Sequence, residues 1–286
     1  MLFVELVAQG LVQGSIYALI ALGLTLVYGL LRILHVAHAS LFTLGGYMGV
    51  LVTNQTGSLG AALFVAMLVA GIAGVLMYRL CYEPILHQPP FVALIASIGL
   101  FIASEEIYRL VFGAYGLSYS NPPLQGQVAI GALKFKQAEL LVMVGGALVI
   151  GVLALLQSKT RLGIACQATV TDPQMAESFG INLKTVRYVN FFAGSALAGA
   201  AGVMVALLNN LVEPTMGSVP SYKALGHAVV GGVGSGPGTL LAARTLGVVE
   251  ACGTVYLGKV LDRNASAFAC LIRVLMVRPQ GLFVRK

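Results

Sequence analysis

Apolar residues in this chain come in long unbroken runs, not at the spacing of a half-buried helix or strand. Runs of about 20 such residues are what a helix needs to cross a bilayer core about 30 Å thick. The pattern predicts a first crossing over 2–31, long enough to be tilted or broken near Gly14. Further crossings are predicted over 36–52, 59–80, 91–112, 138–156 and 188–211. A short apolar piece, 222–233, runs into "GGVGSGPG", and crossings over 239–257 and 265–277 finish the chain. The expected fold is an all-α polytopic membrane protein of about eight to nine crossings, some short or broken. Residues 1–286 are read as one transmembrane domain. The short alternating strands of a β-barrel are absent.

Two polar stretches interrupt the pattern. One, 113–137, carries paired prolines and reads as a connecting segment. The other lies within 157–187 and contains "RLGIACQATVTDPQMAESFGINLKTVR", which starts at Arg161. Here Asp172 is a good N-cap, Pro173 fits the first helical position and Gly180 fits the left-handed position just past the end. The helix between is too short to persist alone in water, so it needs a surface to dock on. Met175, Ala176 and Phe179 lie at i, i+3, i+4 spacing and predict a small apolar face. That face could fold back on the membrane side of its own protein or be offered to a cytoplasmic partner.

Composition agrees. The chain is 58% hydrophobic and 9% charged, against roughly 25% charged in soluble domains. The net charge of +7 belongs to membrane topology and not to nucleic-acid binding, because cytoplasmic loops collect Lys and Arg. Placing 157–187 inside puts nine basic residues in and six out, with Lys223 counted outside. The N-terminus is then external and the C-terminus cytoplasmic. The first run is too long, and lacks the basic start, for a cleaved leader. Four separated cysteines form no CxxC pair and read as idle thiols.

No catalytic constellation emerges, so an enzyme is not expected, nor is a bound cofactor or metal. His35 and His38 are three apart and would share a helical face, but a metal needs more ligands nearby. "GTVYLGKV" follows P-loop spacing as far as the lysine, then has Val where Ser or Thr should hold magnesium. The glycines of "GGVGSGPG" (Gly232, Gly234 and Gly236) fit either a broken helix at a gate or a plain tight turn. Glu250 falls inside a crossing, six residues from Arg244 and off its face, and is expected to face the bundle interior. It would serve there as structural polar glue or as a path residue. Glu105 and Glu106 stand four and three residues before Arg109, good geometry for an interfacial ion pair, with outer solute recognition as the alternative. Small-xxx-small pairs (Gly45 and Gly49, Ser195 and Gly199, Ala198 and Gly202) predict close helix packing within the chain.

The segment from Arg161 to Arg187 resembles the cytoplasmic loop of branched-chain amino acid ABC transporter permeases, an "RxG…RAxxxDPxxAxxxGI" pattern. Further likeness lies in "GSIYALIALGLTLVYGLLRI", "HVAHASLFTLGGYMG", "VALIASIGL", "GGVGSGPG" and "RPQGLF". The chain is similar to the LivH-type subunit of that family, not the longer LivM-type. The resemblance implies the importer permease fold and an ATPase-coupling loop carrying Arg161, Asp172, Pro173, Met175, Ala176, Phe179 and Gly180. It implies as partners a homologous LivM-type permease, two cytoplasmic ATPase subunits and an external solute-binding protein, in the bacterial inner membrane. ATP hydrolysis would belong to the separate subunits. Three positions depart from the family pattern: His35 replaces Asn, Ala39 replaces Gly, and Ser40 stands at a usually acidic or polar site. They fall near the expected solute path, with His38. Branched-chain amino acids are the implied solute, with urea, amides or aromatic acids as alternatives. A stand-alone channel or ion-driven carrier is the rival of another class.

Overall fold

A computed structural model of the chain describes residues 2–130, 133–232 and 234–256, and the isolated positions 268, 272, 273 and 276. The crossing expected over 265–277 and the "RPQGLF" segment therefore fall largely or wholly outside the described residues.

Ten α-helices account for most of the rest: α1 (Leu2–Leu31), α2 (His38–Thr56), α3 (Leu59–Met77), α4 (Pro90–Phe112), α5 (Gln137–Lys159), α6 (Arg161–Thr171), α7 (Pro173–Ser178), α8 (Leu183–Asn209), α9 (Ser218–Gly231) and α10 (Gly236–Tyr256). Among the described residues, five helical segments are long and apolar enough to cross a membrane: Phe3–Leu31, Leu59–Ile85, Pro90–Phe112, Gln137–Lys159 and Leu183–Asn209. The third span continues past α3 through a π-helical turn at Tyr78–Tyr82 and a 3-10 turn at Glu83–Ile85. The first helix is not broken near Gly14. Gly14 instead lets α10 approach, since a Cβ there would stand 3.0 Å from the Arg244 Cα.

Burial sorts these spans. α1 and α8 are about three-quarters buried (72% and 78%), while α3, α4 and α5 are mostly uncovered (28%, 28% and 17%). The inner helices are not the greasiest. Hydrocarbon solvates Leu and Phe as well as a protein core does, so apolar side chains point outward and small residues point inward. Phe64, Leu80, Ile95, Leu148 and Leu155 are accordingly exposed. The seam between α2 and α8 is built from the small residues the sequence singled out. A Cβ on Gly45 would lie 2.3 Å from the Gly199 Cα, and one on Gly202 would lie 2.0 Å from the Phe42 carbonyl oxygen. The pairs serve packing within the chain. α1 runs against α10, α8, α9 and α5 and is the hub of the largest core cluster.

One end of the bundle carries two short sheets. β2 (Gln127–Ile130) pairs antiparallel with β3 (Leu133–Lys136), a hairpin leading into α5. β1 (Leu117–Ser118) pairs with β4 (Leu211–Val212), tying the exits of α4 and α8 together. The segment 113–137, read as a connector, is thus partly a hairpin. At the other end Glu83 joins the third span to the start of α8, accepting from Tyr188 Oη at 2.6 Å and facing Lys184 Nζ at 3.8 Å.

Close approach at the α2–α8 seam makes a testable difference. Gly45→Ala should destabilise by about 1–3 kcal/mol, as overpacking does. Gly151→Ala on α5, where nothing lies within 4 Å of the added carbon, should be neutral or slightly stabilising. Thermal unfolding in detergent separates the two; equal shifts would mean that the seam has no such constraint.

Candidate functional site

Three groups of residues stand out, beginning with a helical elbow between α5 and α8. Thr160 starts α6 by accepting from the Gly163 amide at 3.0 Å. Gly163 is required there because a Cβ would meet the Gln157 Cα at 2.4 Å, where α6 folds back on the end of α5. The charged stretch therefore holds two helices, not one. Arg161 is exposed on the first turn of α6. Asp172 then caps α7, its Oδ1 accepting from the amides of Gln174 and Met175 at 3.0 Å each. Pro173 occupies the first helical position. Gly180, at φ +81°, ends the turn in the left-handed region, and the Ile181 amide donates to the Ala176 carbonyl at 3.1 Å. The expected apolar face is split. Ala176 is 3% exposed and holds α7 to its own chain, whereas Met175 and Phe179 are 56% and 80% exposed.

The second group is the break between α9 and α10. Gly232 and Gly234 have φ of +96° and +85°, a region costly for any residue with a Cβ. Gly236 is already the first residue of α10. Two antiparallel helices must meet closely here: a Cβ on Gly238 would lie 2.0 Å from the Gly231 carbonyl oxygen. The elbow reaches this break. Val170 of α6 stands against the space beside Gly29 and Gly234. Thr25, Gln157, Cys166, Asn190 and Ser235 surround the same cavity of about 290 Å³.

The third group was largely hidden in the sequence. Glu250 is 1% exposed and faces the interior, as expected. Its partner is Lys223, 5% exposed. The Lys223 Nζ donates to Glu250 Oε1 at 2.7 Å and to Tyr17 Oη at 3.2 Å, and Tyr17 Oη donates to Glu250 Oε1 at 3.2 Å. Lys223 is therefore not an outer-loop charge but a residue of α9 buried inside the bundle; without it the outer tally drops from six to five. The sequence signals the short helix, with a lysine in "SYKALGHAVVG" followed by an apolar run, but not the pairing with Glu250. His227, one turn further, stacks 5.1 Å from the Tyr17 ring.

The other expected path residues lie in packed interior. His35 is not on a shared helical face with His38, because α2 begins only at His38. The connection before α2 dips inward, so that His38 reaches the space beside Gly23, well inside α1. The two rings are still 5.8 Å apart. His35 Nδ1 is bonded to Tyr82 Oη at 2.7 Å. His35 Nε2 has no hydrogen-bond partner among the described residues. Ser40 Oγ donates to the Ala37 carbonyl at 2.7 Å, and its own carbonyl accepts from Tyr108 Oη at 2.9 Å. On α4 only Glu106 reaches Arg109, at 3.0 Å on an exposed surface. Glu105 joins no ion pair among the described residues. Cys81, Cys166 and Cys252 are free thiols. Within the described residues, no three His, Cys, Asp or Glu side chains converge as metal ligands would. The P-loop-like "GTVY" of 253–256 is the end of α10, with no strand before it.

A buried ion pair is costly to break singly and cheap to replace whole. Lys223→Met should lose about 3–5 kcal/mol of stability by stranding the Glu250 carboxylate. Adding Glu250→Gln should recover most of that loss. Thermal unfolding of the purified chain in detergent checks it, and a double variant no better than the single one would mean that the two charges are not coupled.

Over residues 6–277 the sequence matches the family described as "Branched-chain amino acid transport system / permease component". It is 31% identical to the high-affinity branched-chain amino acid transport system permease protein LivH of Salmonella typhimurium, across 99% of this chain and 96% of that protein. It is 30% identical to the corresponding permease protein BraD of Pseudomonas aeruginosa, over 99% and 96%. A probable LivH of Methanocaldococcus jannaschii is 27% identical over 97% and 92%. A polytopic helical bundle, with a short capped helix displayed beyond the bundle and ionised groups sealed within it, is thus matched end to end by transport subunits, and the chain belongs to the branched-chain amino acid transport system permease family.

Proposed function

We propose that this chain is the LivH-type membrane subunit of an ATP-driven importer that carries branched-chain amino acids across the bacterial inner membrane. Its partners in this reading are a LivM-type permease, two cytoplasmic ATPase subunits that bind and split the ATP, and an external solute-binding protein. One observation supports the coupling scheme above others: α7 and its C-cap display Met175 and Phe179 outward while the neighbouring α6 places Val170 beside the glycine break, across one cavity. Exposed apolar anchors on a rigid, capped ridge are what an interface uses to concentrate binding energy. Closure of the ATPase pair would push the elbow. Val170 would pass the displacement to Gly29 and Gly234, and the α9–α10 turn would shift as a gate. Phe179, not Asp172, carries the docking contact, and Ala176 fixes the ridge to its own bundle.

Phe179→Ala should weaken binding of the ATPase subunits by about 2 kcal/mol, roughly 30-fold in Kd. Asp172→Ala should cost only about 1 kcal/mol, through a looser cap. Pull-down and solute-stimulated ATP hydrolysis at equal membrane levels measure both. Wild-type values for Phe179→Ala would remove α7 from the coupling interface.

Gly234→Val tests the gate. The substitution forces a β-branched residue to φ near +85° and should slow leucine uptake about tenfold or more while the complex still assembles. Normal uptake would show that the break is only a turn.

A further inference from the structure

The outer half of α1 carries polar residues one turn apart: Glu5, Gln9, Gln13 and Tyr17. Residues four apart share a helical face, and at 1.5 Å per residue this stripe runs about 18 Å into the bundle. Three cavities follow it. The first, beside the β2–β3 hairpin, is about 450 Å³ and is bounded by Glu5, Gln9, Lys134, Lys136 and Glu139. The second, about 290 Å³, shares Gln9, Lys136 and Glu139 with the first and adds Gln13 and Asn209. The third, about 350 Å³, shares Gln13 and Asn209 with the second and ends on Tyr17, Glu213 and Lys223. Shared lining residues set the three in succession along the stripe, a descent from the hairpin end of the bundle toward Lys223.

We propose that this descent is the outer half of the solute route, and that its third cavity is a binding site for a zwitterionic amino acid with an apolar side chain. The inference rests on the transport reading above and assigns residues to it. Charge at the site is of both signs. Lys223 has three ammonium hydrogens, two of them engaged by Glu250 and Tyr17, and no described residue takes the third. A solute carboxylate fits that donor. Glu213, exposed at the beginning of the segment leading to α9, offers a carboxylate to the solute ammonium. Asn209 and Gln13 supply neutral donors and acceptors between them. The remaining wall includes Ile16, Val205, Leu208 and Met216, a surface suited to a branched aliphatic side chain. The helix start adds to the attraction, since α9 begins near the cavity and its first-turn residues Val219 and Pro220 line it, with the positive end of its dipole there.

The test uses the whole complex, with its ATPases and binding protein, in proteoliposomes. All four native cysteines are replaced by Ala, and Gln13→Cys and Asn209→Cys are introduced singly, with Ile102→Cys on the outward face of α4 as control. A membrane-impermeant, cationic methanethiosulfonate is added outside. Both route positions should react and Ile102→Cys should not, and reaction should cut leucine uptake by about tenfold or more. Leucine-loaded binding protein with ATP should slow the labelling. Glu213→Gln should raise the leucine concentration for half-maximal uptake by roughly tenfold, with ATPase binding unchanged. Lack of reaction at both positions overturns the route. Full reaction at both with uptake unchanged overturns it equally. If the unlabelled cysteine-free complex assembles, hydrolyses ATP and takes up no leucine, the transport reading fails instead. The labelling pattern then still decides whether the route exists, because it does not depend on the solute.

Discussion

A helix bundle in lipid gains nothing by hiding apolar side chains from a solvent that is equally apolar. Cohesion must come from contact distance and from polar groups that have nowhere else to go. The whole arrangement follows from that constraint. α1, α2, α8 and α10 approach at Gly10, Gly14, Gly45, Gly202 and Gly247, where an added Cβ would collide with the facing backbone. The less buried helices α3, α4 and α5 are left as a lipid-facing rim. The seams also rule on mobility. Backbones in direct contact cannot slide past one another by degrees, so movement is confined to places where the packing is interrupted.

Those places coincide with the candidate site. α9 spans only Ser218–Gly231 and begins within the bundle, with a Cβ on Gly217 lying 2.3 Å from the Ala39 carbonyl oxygen. The chain between α1 and α2 dips inward in the same way, carrying His35 and His38. Irregular backbone at membrane depth survives only where protein or water covers it. Here it is covered by protein: Gly217 by α2, His38 by α1 and His35 by α8. The ion pair of Lys223 and Glu250 is the fixed point of the short helix, joining it to α10 and, through Tyr17, to α1. Outer cavities end on that fixed point, and the inner cavity lies at the far end of the same helix, under the elbow.

This geometry explains how an event outside the bundle can reach inside it. α6 and α7 make a rigid elbow because each is capped by a side chain, Thr160 and Asp172, and because Ala176 and Cys166 bury against the bundle. In the proposed mechanism, a force on exposed Phe179 would move the elbow as a unit. The nearest compliant element is the turn of Gly232 and Gly234, and Val170 lies between the two. One short helix, α9, thus has its inner end at the turn and its middle clamped by the ion pair.

Much of this was legible in the chain. Long apolar runs force transmembrane helices, and Asp172, Pro173 and Gly180 specify a capped helix from purely local chemistry. Small-xxx-small spacing foretold tight seams, because Gly and Ala are chosen at contacts for their size alone. Glu250 was readable as inward-facing, since an isolated charge in lipid is too costly to leave outward. Its partner was not readable. Lys223 lies 27 residues away, counted by its charge as a loop residue, and only the folding of α9 back along α10 brings it within 2.7 Å. The split of Met175, Ala176 and Phe179 was equally invisible, because spacing says which residues share a face and not what the face meets. His35 was misread as helical because the inward dip before α2 has no local signature. Local chemistry determined which segments become helices and where they stop. Depth, pairing and enclosure were decided only by tertiary packing, since those depend on helices far apart in sequence meeting at distances that glycine alone permits.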